Sequence, residues 1–552
     1  MFDLFITSSL EKVLPRAIYT GSRVSEFSAL SGEMISFQAV AAGDEGIYSF
    51  KTEYDGEAEV ESFFVKNVAV GLAAHPRACS DPDYISHAPG IYPDILEPAD
   101  RDWMYINNIY KSIWIRLKAE KGLHTVKISF FNEQGEKAAA AEAKINTSAV
   151  CLPAQELKFT QWFHTDCIAD YYGYQIFSEE LWDMTEKYLR TAYNNGINMI
   201  LTPVFTPPLD TAVGHSRPTV QLVKIKKDGN NYSFDFSLLH RFISLCHSIG
   251  FKYFEIPHLF AQWGEDGAPK IAAEVNGVER EIFGWSTAID SPEYDNFLSV
   301  FLPALKNQLK KEGVFDNTYF HISDEPVKEK LENYHKARRT ALKYLSDCKI
   351  IDAVFEQLNG ENLFDIPVMS TALLAKNGMP QAAERWCYYC NADSVGVSNR
   401  FVAMPSSRNR SIGVQMYKFK IQGFLHWGYN FYYSRFSLLK LNPFLETDAG
   451  GAFPSGDAIS VYPGKEGPMP AIGLVVFNEA IQDMRAFKKL ESYIGFEETV
   501  KFIEDILGTV RFDKCFNDAQ LLSLRNRVNS KLTELARLTE RAFYTIRHQY
   551  YT

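Results

Sequence analysis

No stretch of this 552-residue chain approaches the run of about 20 apolar residues that a membrane-spanning helix requires. The opening Met1-Phe2-Asp3-Leu4-Phe5-Ile6-Thr7 lacks a basic n-region and a sustained apolar run, so no secretory leader is expected and the cytoplasm is the expected location. An excess of positive charge is also missing: 57 Lys and Arg stand against 68 Asp and Glu, a formal net charge of -11. A nucleic-acid partner depends on accumulated cations and is not expected; the short cluster Lys224, Lys226 and Lys227 reads as a solvated loop beside a turn. Eight cysteines are too few for a disulfide scaffold at this length, and most, such as Cys246 and Cys348, sit in apolar runs, which points to a reducing compartment. Cys387 and Cys390 form one C-x-x-C with no second pair at zinc-ribbon spacing. There is no H-E-x-x-H and no EF-hand loop; Gly451 to Asp457 has the glycine spacing of a phosphate loop without its lysine. Nor is there a nucleophile elbow, because Gly396-Val397-Ser398 is followed by Asn399 and Arg400. Neither a metal nor an organic cofactor is expected.

What the chain does have is aromatic side chains, 14% of all residues, with 40 Phe, 29 Tyr and 8 Trp. Flat apolar faces of this kind stack on sugar rings, and they equally fill a large core. The length calls for two or three domains. Residues 1–152 show period-two runs such as Met34-Ile35-Ser36-Phe37-Gln38-Ala39-Val40 and His124-Thr125-Val126-Lys127-Ile128-Ser129-Phe130, which predict a β-sandwich, with Cys79 to Asp102 as a long ordered loop. From residue 153 to 480 strands alternate with amphipathic helices. Helices are expected to open at Ser178 and at Ser291-Pro292, and to stop at Asn195-Gly196 and Gly250. Strands are expected at 159–163, 198–203, 251–256, 319–323, 350–355, 386–389, 423–427 and 458–462. Eight strands with intervening helices predict a (β/α)8 TIM-like barrel, so the fold class is multidomain α/β, and residues 481–552 form a C-terminal helical segment.

The most informative stretch is Tyr319-Phe320-His321-Ile322-Ser323-Asp324-Glu325-Pro326, an apolar strand ending in two adjacent carboxylates. One reading makes Asp324 and Glu325 the cap of a helix with Pro326 at its first position. The other makes them an acid-base pair, because neighbouring carboxylates push each other's pKa values apart as glycosidic-bond cleavage requires. Barrel active sites lie at the C-terminal strand ends, which favours the second. The other strand ends contribute His164, Asp166, Asp210, Glu255, His258, His321, Trp386, Trp427, Tyr429 and Asn430, with Trp263 in a following loop; acids, imidazoles and indoles together suit a polyol pocket. Each also has a plain structural reading: His258 as a core histidine, Trp427 as packing, Asp210 as a turn residue.

The segments Gln161-Trp162-Phe163-His164-Thr165-Asp166, Leu201 to Asp210, His258-Leu259-Phe260-Ala261-Gln262-Trp263-Gly264, His321 to Pro326 and Gly423 to Asn430 together resemble glycoside hydrolase family 123 and its large group of bacterial relatives. The resemblance covers roughly residues 150 to 480 and is most specific at Asp-Glu-Pro. It implies an exo-acting β-N-acetylgalactosaminidase with a retaining, substrate-assisted mechanism, in which Glu325 is the general acid/base and Asp324 orients the 2-acetamido group. The chain departs from the family pattern at Ala471, Gly473 and Val475, where relatives carry Ser, Arg and Glu. Two alternatives stand beside this expectation: a two-carboxylate retaining glycosidase with Glu255 as nucleophile and Glu325 as acid, and a non-catalytic glycan-binding or scaffold protein. In all three the partner is carbohydrate, with no nucleic acid and no membrane.

Overall fold

The computed structural model describes residues 2–16, 18–261, 267–358 and 363–549, and the chain divides into two compact units. The first comprises Met1–Glu156, Ser394–Lys420 and Met469–Thr552; the second comprises Leu157–Asp393 and Ile421–Pro468.

Among the described residues, the N-terminal part of the first unit is built from ten strands. They are β1 (Asp3–Ser8), β2 (Glu26–Ser31), β3 (Met34–Ala42), β4 (Gly46–Tyr54), β5 (Val60–Val70), β6 (Gly90–Pro98), β7 (Trp103–Ile106), β8 (Lys111–Lys118), β9 (Gly122–Phe131) and β10 (Lys137–Cys151). Two sheets, ordered β1-β3-β8-β5-β6 and β2-β10-β9-β4-β7, send alternate side chains such as Phe37, Ile115, Val126 and Phe130 into one shared core, the sandwich that period-two runs dictate. The expected long loop before Asp102 is instead partly strand β6. Pro93 hides it from a propensity reading, but β6 is a sheet edge and the pairing with β5 shifts register beside Pro93, the setting in which a strand tolerates proline.

Helices Ser406–Lys418, Ile472–Ile494, Phe496–Leu507 and Asp518–Gln549 complete this unit. The expected boundary at residue 480 therefore falls inside a helix. Buried charges tie them together: Arg410 reaches Glu479 at 3.0 Å and Asp483 at 2.8 Å, and Arg525 reaches Asp483 at 3.0 Å and Glu33 at 2.6 Å. Each buried cation is matched by carboxylates, without which desolvation would be costly.

In the second unit the strands are β11 (Lys158–Gln161), β12 (Met199–Leu201), β13 (Lys224–Asp228), β14 (Asn231–Asp235), β15 (Tyr253–Ile256), β16 (Ile271–Val275) and β17 (Val278–Phe283). They continue with β18 (Thr318–Phe320), β19 (Lys349–Val354), β20 (Ile366–Ser370), β21 (Trp386–Tyr388), β22 (Gly423–His426) and β23 (Val461–Pro463); β24 (Pro468–Pro470) falls where the chain passes from the second unit into the first. Strands β11-β12-β15-β18-β19-β20-β21-β22 close a parallel barrel, while β14-β13-β16-β17 form a separate small sheet. Helices Glu179–Asn194 and Pro292–Lys311 start where expected, with Ser178 and Ser291 accepting from the backbone N–H groups of Leu181 and Tyr294.

One expected strand changes place: the sixth barrel strand is β20, unrecognised because Pro367 argues against an interior strand, while the run 458–462 lies outside the barrel with its last two residues in β23. Residues two apart share the barrel interior, so Met199 with Leu201, Ile351 with Ala353 and Trp386 with Tyr388 stack in layers. Gly423 is required there, since a Cβ at that position would lie 2.1 Å from the Trp386 ring. No helix among the described residues is long and apolar enough to cross a membrane.

Candidate active site

Past the C-terminal ends of the barrel strands lies an open cleft of ≈ 620 Å³, mouth included. Its walls include Trp162, Tyr388, Trp427 and Phe453, and its acids are Asp210, Asp324 and Glu325. The loop after β18 brings in the last two. Backbone bonds from Leu259 N to His321 O (3.2 Å) and from Phe260 N to Ile322 O (3.0 Å) prolong the pairing with the segment after β15, and Ser323 Oγ donates to Ala261 O at 2.7 Å. Ile322 N donates to Asp352 Oδ1 at 2.9 Å.

The capping reading of the acid pair does not hold. The chain does not turn helical at Pro326: a 3-10 turn begins at Lys328 and the α-helix at Leu331. Glu325 instead takes a left-handed backbone, φ 42°, an arrangement that costs a non-glycine residue about 1–3 kcal/mol and is concentrated at functional sites. Asp210 shares it, φ 41°. The Tyr388 hydroxyl donates to Glu325 Oε1. Burial and the adjacent Glu325 charge hold the Tyr388 pKa well above that of a free phenol, so it stays a donor.

Behind Asp324 runs a buried file of charges. His258 is fully buried, its ring 4.3 Å from that of His321 and its Nε2 3.9 Å from Asp324 Oδ1. Burial first, then the charge of His321, drives its pKa well below the ordinary histidine value and leaves it neutral. His321 behaves oppositely. Burial opposes its charge, but Asp352 and Glu255 outweigh burial and raise it to about 9. Its Nε2 donates to Glu255 Oε1 at 2.6 Å, while Nδ1 is 3.8 Å from Asp352 Oδ1, beyond hydrogen-bond reach. Because the folded pKa lies above the ordinary 6.5, this cation stabilises the fold fully below about pH 6.5 and ceases to as pH rises through about 9. The melting temperature is therefore expected to fall across that interval, and His321→Gln is expected to flatten the slope; an unchanged slope in the variant would contradict this account.

Glu255, at the end of β15, is fully buried inside the barrel. Besides His321 it accepts from Thr160 Oγ1 at 2.7 Å and from Trp162 Nε1 at 2.6 Å, which commits both oxygens. His321 and His258 are likewise buried behind the cleft.

Of the remaining expected residues, Asp210 and Trp427 line the cleft. Phe436 N donates to Asp210 Oδ2 at 3.0 Å, and burial raises its pKa to about 6 against that bond and the charges of Arg217 and Arg435. Trp427 Nε1 donates to Asp457 Oδ2 at 3.2 Å, and Phe431 and Phe453 meet its ring edge-on, each at 5.2 Å, which orients it.

The others are used elsewhere. Trp386 heads β21 instead of ending it, so it packs in the barrel interior against Tyr319, with Nε1 donating to Glu384 at 2.9 Å. Tyr429 is buried, stacked on Phe163 and bonded to Tyr188 O at 2.9 Å. The Asn430 amide clamps the His164 backbone, accepting from its N at 2.9 Å and donating to its O at 3.0 Å. Asp166 and His164 serve one cation: Arg217 meets Asp166 Oδ2 at 2.6 Å and donates to His164 Nδ1 at 3.0 Å. That bond leaves Nε2 as the protonated nitrogen, facing Trp427 O at 3.2 Å; burial, then Arg217, keeps the ring neutral. Trp263 lies outside the described residues. Ala471, Gly473 and Val475 belong to the first unit, at the start of helix Ile472–Ile494.

Sequence reasoning passed over Tyr388, Arg217 and Asp352. Period-two alternation from Trp386 could have found Tyr388, which points inward one layer nearer the strand end; Arg217 and Asp352 carry no local signal. Among the described residues no three His, Cys, Asp or Glu side chains are grouped as a metal site.

The family model for the glycoside hydrolase 123 catalytic domain matches residues 162–490, more than half of the chain. No curated protein matches it in sequence. A family 123 glycoside hydrolase from Clostridium perfringens, studied for glycolipid glycan hydrolysis, is similar in fold with a TM-score of 0.73 at 15% identity, over 98% of this chain and 100% of that one. A β-glucuronidase from Parabacteroides merdae (TM-score 0.31, 9% identity, 82% of this chain and 51% of that one) is too loosely similar to bear on either fold or function. With the family model spanning every barrel strand but the first, together with the acid-bearing loop, the chain belongs to glycoside hydrolase family 123.

Proposed function

We propose that this glycoside hydrolase removes terminal β-linked N-acetylhexosamine, with N-acetylgalactosamine as the sugar, by a retaining, substrate-assisted mechanism. The observation that carries the reading is the contrast between the adjacent pair Asp324 and Glu325, which lines the cleft, and Glu255, whose oxygens are both committed inside the barrel. Two-carboxylate retention needs a nucleophile about 5–5.5 Å from the acid across the scissile bond. Successive residues of one loop do not straddle a bond in that way, and Glu255 is fully buried with both oxygens hydrogen-bonded inside the barrel.

The nucleophile is then the substrate's own acetamide carbonyl oxygen. It attacks the anomeric carbon while Glu325 gives its proton to the leaving oxygen, which departs with the bonding electron pair. Asp324 accepts the acetamide N–H and balances the positive charge of the oxazolinium intermediate. Glu325, now ionised, takes a proton from water as that water attacks the anomeric carbon, reopening the ring with net retention. Trp427 offers the sugar a flat face, and Asp210 accepts from a hydroxyl. The glycolipid glycan hydrolysis named for the C. perfringens enzyme is consistent with a terminal amino sugar.

Asp324→Asn is expected to depress turnover of aryl β-N-acetylgalactosaminide, and an oxazoline-mimicking thiazoline is expected to inhibit the native protein. Absence of thiazoline inhibition removes the neighbouring-group step; sugar binding without cleavage of any aryl glycoside would favour the binding-protein alternative.

A further inference from the structure

We infer that the β-sandwich carries a glycan-binding groove of its own, suited to acidic oligosaccharides in which a pyranose ring neighbours a carboxylate or sulfate. Nothing in the hydrolytic reading requires it. The groove, ≈ 800 Å³ with its mouth, runs between β5 and the start of β8 in one sheet and the edge strand β7 of the other.

Strand β7 supplies the stacking faces. Met104 and Ile106 point into the core, so Trp103 and Tyr105 share the opposite face, 44% and 41% exposed. These indole and phenol rings lie two residues apart on a sheet edge, with the Tyr105 hydroxyl donating to Glu45 Oε1. Their spacing of about 7 Å suits neighbouring rings of a sugar chain.

Charge selects the ligand. Among the described residues the lining holds three cations, Lys66, Arg101 and Lys111, and no carboxylate, in a chain whose net charge is -11. Arg101 is held in place by its neighbours, its guanidinium carbon 4.5 Å above the Phe64 ring and 5.1 Å above the Trp103 ring. Among the described residues its buried Nε has no hydrogen-bond partner. Lys111 lies 5.2 Å above the Tyr105 ring and donates to Tyr105 O at 2.8 Å, and no carboxylate among the described residues pairs with it. Burial, then the charge of Lys66, depresses its pKa, a strain that a bound anion relieves. The acids that do meet this set, Glu97 on Lys66 and Asp100 on Arg101, each at 3.1 Å, stand outside the lining; Asp100 is exposed, so a ligand exchanges with it at small cost, while the Glu97 oxygen on Lys66 is buried. Asn67 adds an exposed amide for ring hydroxyls.

The test is calorimetric titration of the full chain with an oligogalacturonate tetramer, a sulfated galactan tetramer and neutral maltotetraose, none of which contains N-acetylhexosamine. One or both acidic ligands are expected to bind, the neutral one at least about tenfold more weakly, and about 0.5 M NaCl is expected to weaken the acidic complexes. Trp103→Ala and Lys111→Gln are each expected to cost about tenfold in affinity. Which acidic arm binds separates carboxylate from sulfate recognition. Failure of both acids to bind, equal binding of the neutral ligand, or affinities unchanged in both variants would overturn the inference. Should Trp103→Ala fail to fold, Lys111→Gln, which keeps the aliphatic stem, decides alone.

Discussion

Glu325→Gln is expected to lower kcat/KM for a β-N-acetylgalactosaminide with a sugar leaving group by about 10² to 10⁴, the usual worth of a positioned general acid. The amide keeps the size of the carboxyl and can still accept from Tyr388, so the melting temperature is expected to stay close to native. What it cannot do is protonate the departing oxygen. A nitrophenolate leaves without that help, so the loss on its aryl glycoside is expected to be far smaller, because only the second half of the reaction, in which Glu325 acts as base, then suffers. Parallel losses on both substrates would show that Glu325 has another role.

Glu255→Ala gives the second large effect, in stability instead of chemistry. The carboxylate is fully buried and is the strong partner of the His321 cation. Its removal strands that cation and leaves the Thr160 and Trp162 donors unpaired, a loss of about 3–5 kcal/mol. Chemical denaturation would read it directly. The two-carboxylate alternative predicts a different pattern: a well-folded but inactive variant, rescued by azide, and a glycosyl adduct on Glu255 trapped by a fluorosugar. Finding that adduct would replace the substrate-assisted proposal.

The βα alternation was legible because its signals are local. Ser178, Ser291 and Gly250 mark helix ends through bonds made within one turn, and the sandwich follows from apolar residues at every second position. The same local reading misses β20, where Pro367 outweighs its neighbours in propensity although the strand pairs on both sides in the closed barrel. It also took Trp386 for a strand end, because strand limits are read less securely than strand existence; the barrel put Trp386 low in the interior and Tyr388 against Glu325.

Periodicity and turn chemistry act over a few residues, and they were enough to specify the parallel barrel, the strand-rich N-terminal region and the position of the Asp324-Glu325 pair just past a barrel strand. Which acid faces the cleft depends on contacts between distant segments. Glu255 and Glu325 look alike in their own neighbourhoods, but Thr160, Trp162 and His321 arrive from other strands to enclose the first, while a left-handed backbone turns the second into the cleft beside Tyr388. Burial and hydrogen-bond partners of that kind are properties of the closed barrel, and no segment of the chain contains them alone.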